Sequence, residues 1–426
     1  MKEPRLTYRL LAGLAERLLP LGAPFSDKLA RGDRERRAAA ARWTAWGRQH
    51  RDPARPLLWI HAASVGEGLQ ALAVIEAVKA QHPDWQIAAT FFSPSAELLI
   101  QNHPADRIDY LPYDTAANAA AMLAALRPNA LVFTKLDLWP GYAIRVRAAG
   151  VPVGMVAGTV SPVSGRRHPV ARWLGSPGYQ ALDRVGAISE ADAAALIGLG
   201  VRADRVVVTG DPRFDSAWAR AAAVPADWPF RRLTSGARTL VAGSTWPADE
   251  AVLLDAFAQV RLVRPDCRLI LVPHEPTPRH VAALEREAAL IGLEAIPLSQ
   301  AGDTVPELLI VDQLGLLAGL YRGAALSYVG GGFGRHGLHS VLEPAACGVP
   351  VFFGPRWRSS LEAGLLLEAG AAAVVKDPAT LAAAWTAALA GDGASIMGDR
   401  ARDLVRAGLG ASDQNAGLIE ALMANR

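Results

Sequence analysis

From residue 56 onward, short apolar runs alternate with longer stretches of helical period. Residues 57–61, 86–92, 130–134, 151–156, 184–188 and 205–209 read as strands, with helices over 66–80 and 115–126. Near-continuous apolar strands separated by helices predict a parallel sheet covered on both faces. The rhythm breaks over 213–236, where Asp211-Pro212, Pro225, Trp228, Pro229 and Ser235-Gly236 punctuate the chain, as at a connection between domains. It restarts with strands at 239–242, 268–272, 308–311, 326–329, 351–353 and 371–375, and with helices over 249–263 and 280–291. The pattern predicts an α/β chain of two doubly wound domains, 56–216 and 237–398, joined by a linker at 217–236 and facing a cleft. The helical tail 399–426 is expected to cross back to the first domain. Open parallel sheets bind ligands beyond the carboxyl ends of their strands, so the loops there are the places to look for chemistry.

Residues 1–55 follow another pattern. Leu6, Leu10, Leu11, Leu14, Leu18, Leu19 and Leu21 recur at helical spacing, interrupted by Arg5, Arg9, Glu16 and Arg17. This run is too short and too charged for a bilayer span, which needs about 20 mostly apolar residues. An amphipathic helix lying in a membrane surface fits it, backed by basic residues from Lys28 to Arg55 and by Trp43 and Trp46; a helix packed on the protein body is the alternative. Charge agrees with the first reading. The chain carries +3 overall, yet residues 1–56 hold 13 Lys and Arg against 6 Asp and Glu. A basic arm on a near-neutral body points to an anionic surface, and no nucleic-acid motif accompanies it. Cys267 and Cys347 are the two cysteines, with no metal-type spacing. They read as core residues, and neither a metal nor a cofactor is expected.

The first domain offers His61-Ala62-Ala63-Ser64-Val65-Gly66-Glu67 at a strand end. Glu67 is a candidate general base for an incoming hydroxyl; the bland alternative is a first-turn glutamate complementing the helix dipole. Ser64-Val65-Gly66 is half of a nucleophile elbow whose leading glycine is replaced by Ala62. His61 reads as a packed strand-end histidine. Lys135 and Asp137 close a further strand, and Arg213 at the end of this domain is a candidate anion ligand or a surface salt bridge.

The second domain opens with Gly243-Ser244-Thr245, whose hydroxyls and N–H groups could cup a phosphate or simply cap a helix. His274 follows the next strand, near a base or sugar. Ser327-Tyr328-Val329 then leads into Gly330-Gly331-Gly332-Phe333-Gly334 and on to His339, Ser340 and Glu343. That stretch reads as strand, glycine loop and helix, with Ser340 as N-cap and Glu343 three residues on. Glu343 is also a candidate acceptor for ribose hydroxyls. Gly332–Gly337 matches G-x-G-x-x-G, but too late in its domain and without the acid a dinucleotide site requires.

Taken together, these stretches resemble the 3-deoxy-D-manno-octulosonic acid (Kdo) transferases of lipopolysaccharide assembly. The resemblance begins near Tyr8 and rests on the His61–Glu67 segment, Leu138-Trp139-Pro140, Gly243-Ser244-Thr245, and Val329 to Ala345 with Gly354-Pro355. It implies a GT-B architecture of two Rossmann-like domains and a metal-independent inverting transfer. It also implies a CMP-Kdo donor, a lipid A precursor as acceptor, and the cytoplasmic face of the inner membrane. Carried over, Glu67 matches the family's base, Ser64 and Gly66 lie in the same motif, and Ser244 and Thr245 match its phosphate side. His339 and Glu343 match its nucleotide side, and Arg213 stands where the family has lysine. The departures are Lys135 for an acid, Trp246 for a histidine, Ser340 for an asparagine, and Pro273-His274-Glu275 for Pro-Arg-His. They leave open a divergent member using another nucleotide sugar or acceptor, a nucleotide-sugar epimerase or hydrolase, or a non-catalytic paralogue.

Overall fold

The computed structural model describes residues 4–18, 26–101, 103–161, 164–234, 238–302 and 305–424. Leu19 and Leu21 of the leucine run, and Ser235-Gly236 of the expected connection, lie outside these residues. The chain divides into two compact units, Met1–Ser216 with Gly410–Arg426, and Ala217–Leu409.

The first unit holds strands β1 (Leu57–His61), β2 (Gln86–Phe91), β3 (Arg107–Tyr110), β4 (Ala130–Thr134), β5 (Val153–Gly158), β6 (Arg184–Ala187) and β7 (Val206–Val208). They form one parallel sheet in the order β3-β2-β1-β4-β5-β6-β7. Leu57, Leu58, Trp59 and Ile60 are all buried because apolar clusters cover both faces of the sheet. One face packs on the helices Asp27–His50 and Ala116–Leu126, the other on Val65–Gln81 and the C-terminal helix Ala411–Ala424. Asp215 secures the return of the chain, accepting hydrogen bonds from Gly410 N and Ser412 N, both at 2.7 Å.

The second unit repeats the scheme with β8 (Arg238–Thr245), β9 (Cys267–Pro273), β10 (Ala295–Pro297), β11 (Leu308–Ile310), β12 (Leu326–Val329), β13 (Val351–Phe353) and β14 (Ala372–Val374). Their parallel order is β10-β11-β9-β8-β12-β13-β14. Each sheet therefore reverses its winding once, between β1 and β4 in the first unit and between β8 and β12 in the second. Such a switch point opens a crevice at the carboxyl ends of the two strands.

Three expectations change. The segment read as a connection begins as a helix, Pro212–Ala222, because Pro212 sits at its first position, where the missing N–H costs nothing. The short strands β3 and β10 were not expected; both lie at sheet edges, and β3 carries Arg107 and Asp109. Trp43 and Trp46 do not face lipid. They are buried in the first unit's core, where the Trp43 indole donates to Tyr110 O at 2.9 Å.

The leucine helix Leu6–Leu18 behaves differently. Leu6, Leu10, Leu11, Leu14 and Leu18 are 47–65 % exposed, and none of the helix is buried. Its opposite side is tied down by Tyr8, whose hydroxyl donates to Asp114 Oδ2 at 2.7 Å. Arg5 stacks over Trp173, itself exposed beside Val170. Among the described residues no helix is long and apolar enough to cross a membrane.

Candidate functional site

At the first switch point, β1 runs out at His61 and the helix Val65–Gln81 begins behind its N-cap Ser64. Glu67 turns back to this cap. Its Oε2 accepts from both Ser64 N and Ser64 Oγ at 3.1 Å, which fixes the carboxyl over the first turn. Glu67 Oε1 has no hydrogen-bond partner among the described residues and the side chain is half-buried. The capping role and a free carboxylate oxygen thus coexist. Ser64 Oγ is committed to the capping Glu67, and among the described residues no histidine is hydrogen-bonded to it, so the elbow reading gains nothing. Gly66 is exposed, with open space where a Cβ would lie.

Beside it, the end of β4 brings Asp137 and Trp139 together with His61 and with Arg166, which the sequence did not single out. The Trp139 indole donates to His61 Nε2 at 3.1 Å, and Arg166 Nη2 donates to Asp137 Oδ1 at 2.8 Å. His61 is fully buried, with Nδ1 3.0 Å from Thr90 Oγ1, as a packed strand-end histidine should be. Lys135 has φ 64°, a left-handed conformation that a side chain rarely adopts. Strain of this kind gathers at functional sites. Arg213 is forked onto Asp211, Nε to Oδ2 at 2.9 Å and Nη2 to Oδ2 at 2.5 Å, which matches its salt-bridge alternative.

At the second switch point the glycines prove to be packing requirements. A Cβ on Gly330 would lie 2.2 Å from Ser244 O, and one on Gly331, at φ +95°, 2.0 Å from Gly337 O. One on Gly332 would meet Gly354 N at 2.5 Å. The loop's N–H groups are mostly spent inside the fold. Gly330 N donates to Gly243 O at 2.9 Å and Gly331 N to Asp249 Oδ2 at 2.8 Å. The Gly332 amide has no partner among the described residues, although the residue itself is buried.

Asp249 is the residue that composition and spacing hid. Fully buried, it accepts from Tyr328 Oη at 2.8 Å, Gly331 N at 2.8 Å, Trp246 N at 3.1 Å and Phe333 N at 3.3 Å. One carboxylate thereby ties β8, β12 and the glycine loop together. Its neighbour Glu250 is also buried, accepting from Thr245 Oγ1 and His280 Nε2, both at 2.8 Å. Burial pushes the Glu250 carboxyl up, although hydrogen bonds from His280 and Thr245 work against it. On His280 burial works downward, and the hydrogen bonds to Glu250 and to Glu275 O outweigh it, so its imidazolium is favoured.

Several expected roles shift accordingly. Thr245 is fully buried and its hydroxyl belongs to Glu250, so it cannot also cup a phosphate. Ser244 remains, half-buried at φ 53° in a bulge of β8. Ser340 is not an N-cap; the helix is the single turn Leu342–Ala346 behind Val341, too short for a useful dipole. Ser340 is exposed, and Glu343 is paired with Arg220 at 3.1 Å.

His274, His336 and His339 converge on Trp246. His336 stacks on the indole at 3.7 Å between centroids, and His274 lies 4.9 Å from Trp246 and 4.4 Å from His339. Burial, then the charge of neighbouring His274, pulls the His339 imidazole down to about 4. The sign of its linkage follows: folding favours neutral His339, so this stability is complete above the ordinary value of 6.5 and is lost as pH falls toward 4. Among the described residues no cluster of His, Cys, Asp or Glu is arranged to hold a metal ion.

Comparison with solved structures supports the class. The UDP-GlcNAc 2-epimerase of Neisseria meningitidis, solved bound to UDP-GlcNAc, matches 87 % of this chain and 100 % of its own with a TM-score of 0.60 at 11 % identity, a likeness of fold alone. Two doubly wound parallel units in one chain make this a GT-B α/β protein. A family profile described as 3-deoxy-D-manno-octulosonic-acid transferase (kdotransferase) matches residues 34–216. The 3-deoxy-D-manno-octulosonic acid transferase of Bordetella pertussis is 28 % identical over 401 residues, 90 % of this chain and 91 % of that protein. The protein of the same name from Chlamydophila psittaci is 28 % identical over 331 residues, 74 % and 73 % of the two chains. The chain is thus similar to proteins named Kdo transferases over 74–90 % of its length, and to the family profile over residues 34–216.

Proposed function

We propose that this protein transfers Kdo from CMP-Kdo to a lipid A precursor at the cytoplasmic face of the inner membrane, with inversion at the anomeric carbon. Glu67 takes the proton of the acceptor hydroxyl as that oxygen attacks the anomeric carbon. The bond from that carbon to the phosphate oxygen breaks, and CMP leaves with the bonding electrons. The first unit supplies the base and the second holds the nucleotide. The Gly332 amide, Ser244 and His339 are the donors for the phosphate, and His274 and Glu343 lie toward base and ribose. Glu343 accepts ribose hydroxyls while held by Arg220. Arg213, paired with Asp211, has a supporting rather than a direct role.

The observation that carries this reading is Glu67 at the first switch point, held through Oε2 and open at Oε1. The nucleotide is tested by thermal denaturation with CMP, UDP, GDP and ADP. CMP at about 100 times its Kd is expected to add about 2.7 kcal/mol of stability, and the other three much less. Stabilisation by UDP alone would replace the proposed donor.

The exposed leucine face of Leu6–Leu18, with Trp173 and Val170 nearby, Arg9 and Arg17 on the same helix and Arg5 just before it, supports contact with an anionic membrane surface. Replacing Leu10 and Leu14 together with glutamate leaves the core untouched. Each leucine withdrawn from lipid forfeits about 1.5–3 kcal/mol, so binding to vesicles containing phosphatidylglycerol is expected to fall about 100-fold or more. Unchanged co-sedimentation with the vesicles would show that another surface makes the contact.

A further inference from the structure

The Trp246 indole nitrogen lies 3.0 Å from His339 Nε2. An indole N–H donates and never accepts, so His339 Nε2 must present its lone pair. A neutral imidazole with a bare Nε2 carries its proton on Nδ1. An imidazolium would set one N–H against another. Among the described residues His339 Nδ1 has no hydrogen-bond partner, which leaves its proton to whatever occupies the site.

A related indole–imidazole pair occurs at the first switch point, but there Asp137 shares it, with Oδ2 3.5 Å from His61 Nε2 and 3.3 Å from Trp139 Nε1. The Trp139 indole donates to His61 Nε2 at 3.1 Å, and His61 Nδ1 lies 3.0 Å from Thr90 Oγ1. Thr90 Oγ1 accepts from Trp59 Nε1 at 3.0 Å and donates to Ile60 O at 3.3 Å, so it receives the Nδ1 proton without conflict. At His61 a carboxylate competes for both the indole and the imidazole, whereas among the described residues the Trp246 indole is the one hydrogen-bond partner of the His339 ring.

We propose that Trp246 is a positioning residue: its indole N–H holds His339 as the neutral Nδ1–H tautomer, so that His339 offers a bound phosphate a hydrogen-bond donor that carries no charge. The surroundings agree with a neutral ring. His274 and His336 lie against the same cluster and oppose a further positive charge, and buried Asp249 is the acid that works the other way. A neutral donor binds the phosphate yet lets the nucleotide go, whereas an imidazolium would retain it as an ion pair. The tautomer itself rests on the indole contact alone. Its use on a phosphate rests on the nucleotide-binding reading above.

The test is a long-range nitrogen–proton correlation spectrum of the histidines in the full chain, with His339 assigned by its loss in His339→Gln. In the unsubstituted protein the expected pattern is a protonated Nδ1 and a bare Nε2, persisting until the ring titrates at about 4. Trp246→Phe keeps a flat ring against His336 but removes the N–H. It is expected to release a mixture of tautomers and raise the titration by about tenfold in acid constant. A protonated Nε2 in the unsubstituted protein, or an unchanged pattern in Trp246→Phe, overturns the lock. CMP is the probe for its use: Trp246→Phe should bind CMP about threefold to tenfold more weakly near neutral pH. Equal affinity overturns the donor role. No CMP binding by the unsubstituted protein instead overturns the nucleotide reading and leaves the spectrum to judge the lock.

Discussion

Glu67→Gln is expected to lower the turnover number for transfer by about 10²–10⁴-fold, the range for loss of a general base. The choice of glutamine matters. At the third position of a helix, glutamine reaches back to the N-cap amide as glutamate does, so the contact to Ser64 N at 3.1 Å can be kept. Stability and CMP affinity should therefore stay near those of the unsubstituted protein while chemistry is lost. Glu67→Ala removes both contributions and should add a loss of about 1 kcal/mol of stability. If glutamine preserves transfer, the carboxylate is a cap and nothing more, and the base must be sought elsewhere.

The second large effect belongs to Asp249. Its carboxylate is fully buried and accepts four hydrogen bonds from Tyr328, Gly331, Trp246 and Phe333. Asp249→Ala strands these donors in a dry interior, and each loss of that kind costs about 1–3 kcal/mol. Partial repair by water or by relaxation keeps the total near about 3–5 kcal/mol, the usual cost of breaking a buried charged network. The midpoint of urea denaturation should fall accordingly. The glycine loop loses its anchor at the same time, so CMP affinity should drop even where the variant remains folded. An unchanged midpoint would mean that the backbone contacts of Gly330 and Gly332 suffice to shape the loop.

The two substitutions also show what could be read from residues alone. The central strands announced themselves because both faces of each sheet are covered, giving runs such as Leu57–Ile60 and Leu131–Phe133 without a polar break. The edge strand Arg107–Tyr110 carries Asp109, which pairs with Arg42 and Arg107, and so lacked that signal. Trp43 and Trp46 looked like membrane anchors because an amphipathic face does not disclose whether its partner is lipid or protein. The exposed leucines of Leu6–Leu18 and the buried indoles of Asp27–His50 belong to the same basic arm and have opposite fates.

Glu67 was visible because its role is local: a strand end, a cap and a carboxylate within a few residues. Asp249 was not, because it acts on Gly331, 82 residues further along the chain. In the sequence it is one of two acids in a first helical turn, a common and weak feature. Its neighbour Glu250 is hidden in the same way behind Thr245 and His280. The glycines were recognised as a loop, yet their reason differs from the one spacing suggested. They admit the backbones of Ser244, Gly337 and Gly354, and only then a ligand.

The most direct measurement is the mass of a lipid A precursor after incubation with CMP-Kdo and this protein in detergent or vesicles. The acceptor is expected to gain Kdo, with CMP released only when acceptor is present and with neither product formed by Glu67→Gln. Release of CMP at the same rate without acceptor, or transfer that survives in Glu67→Gln, would contradict it.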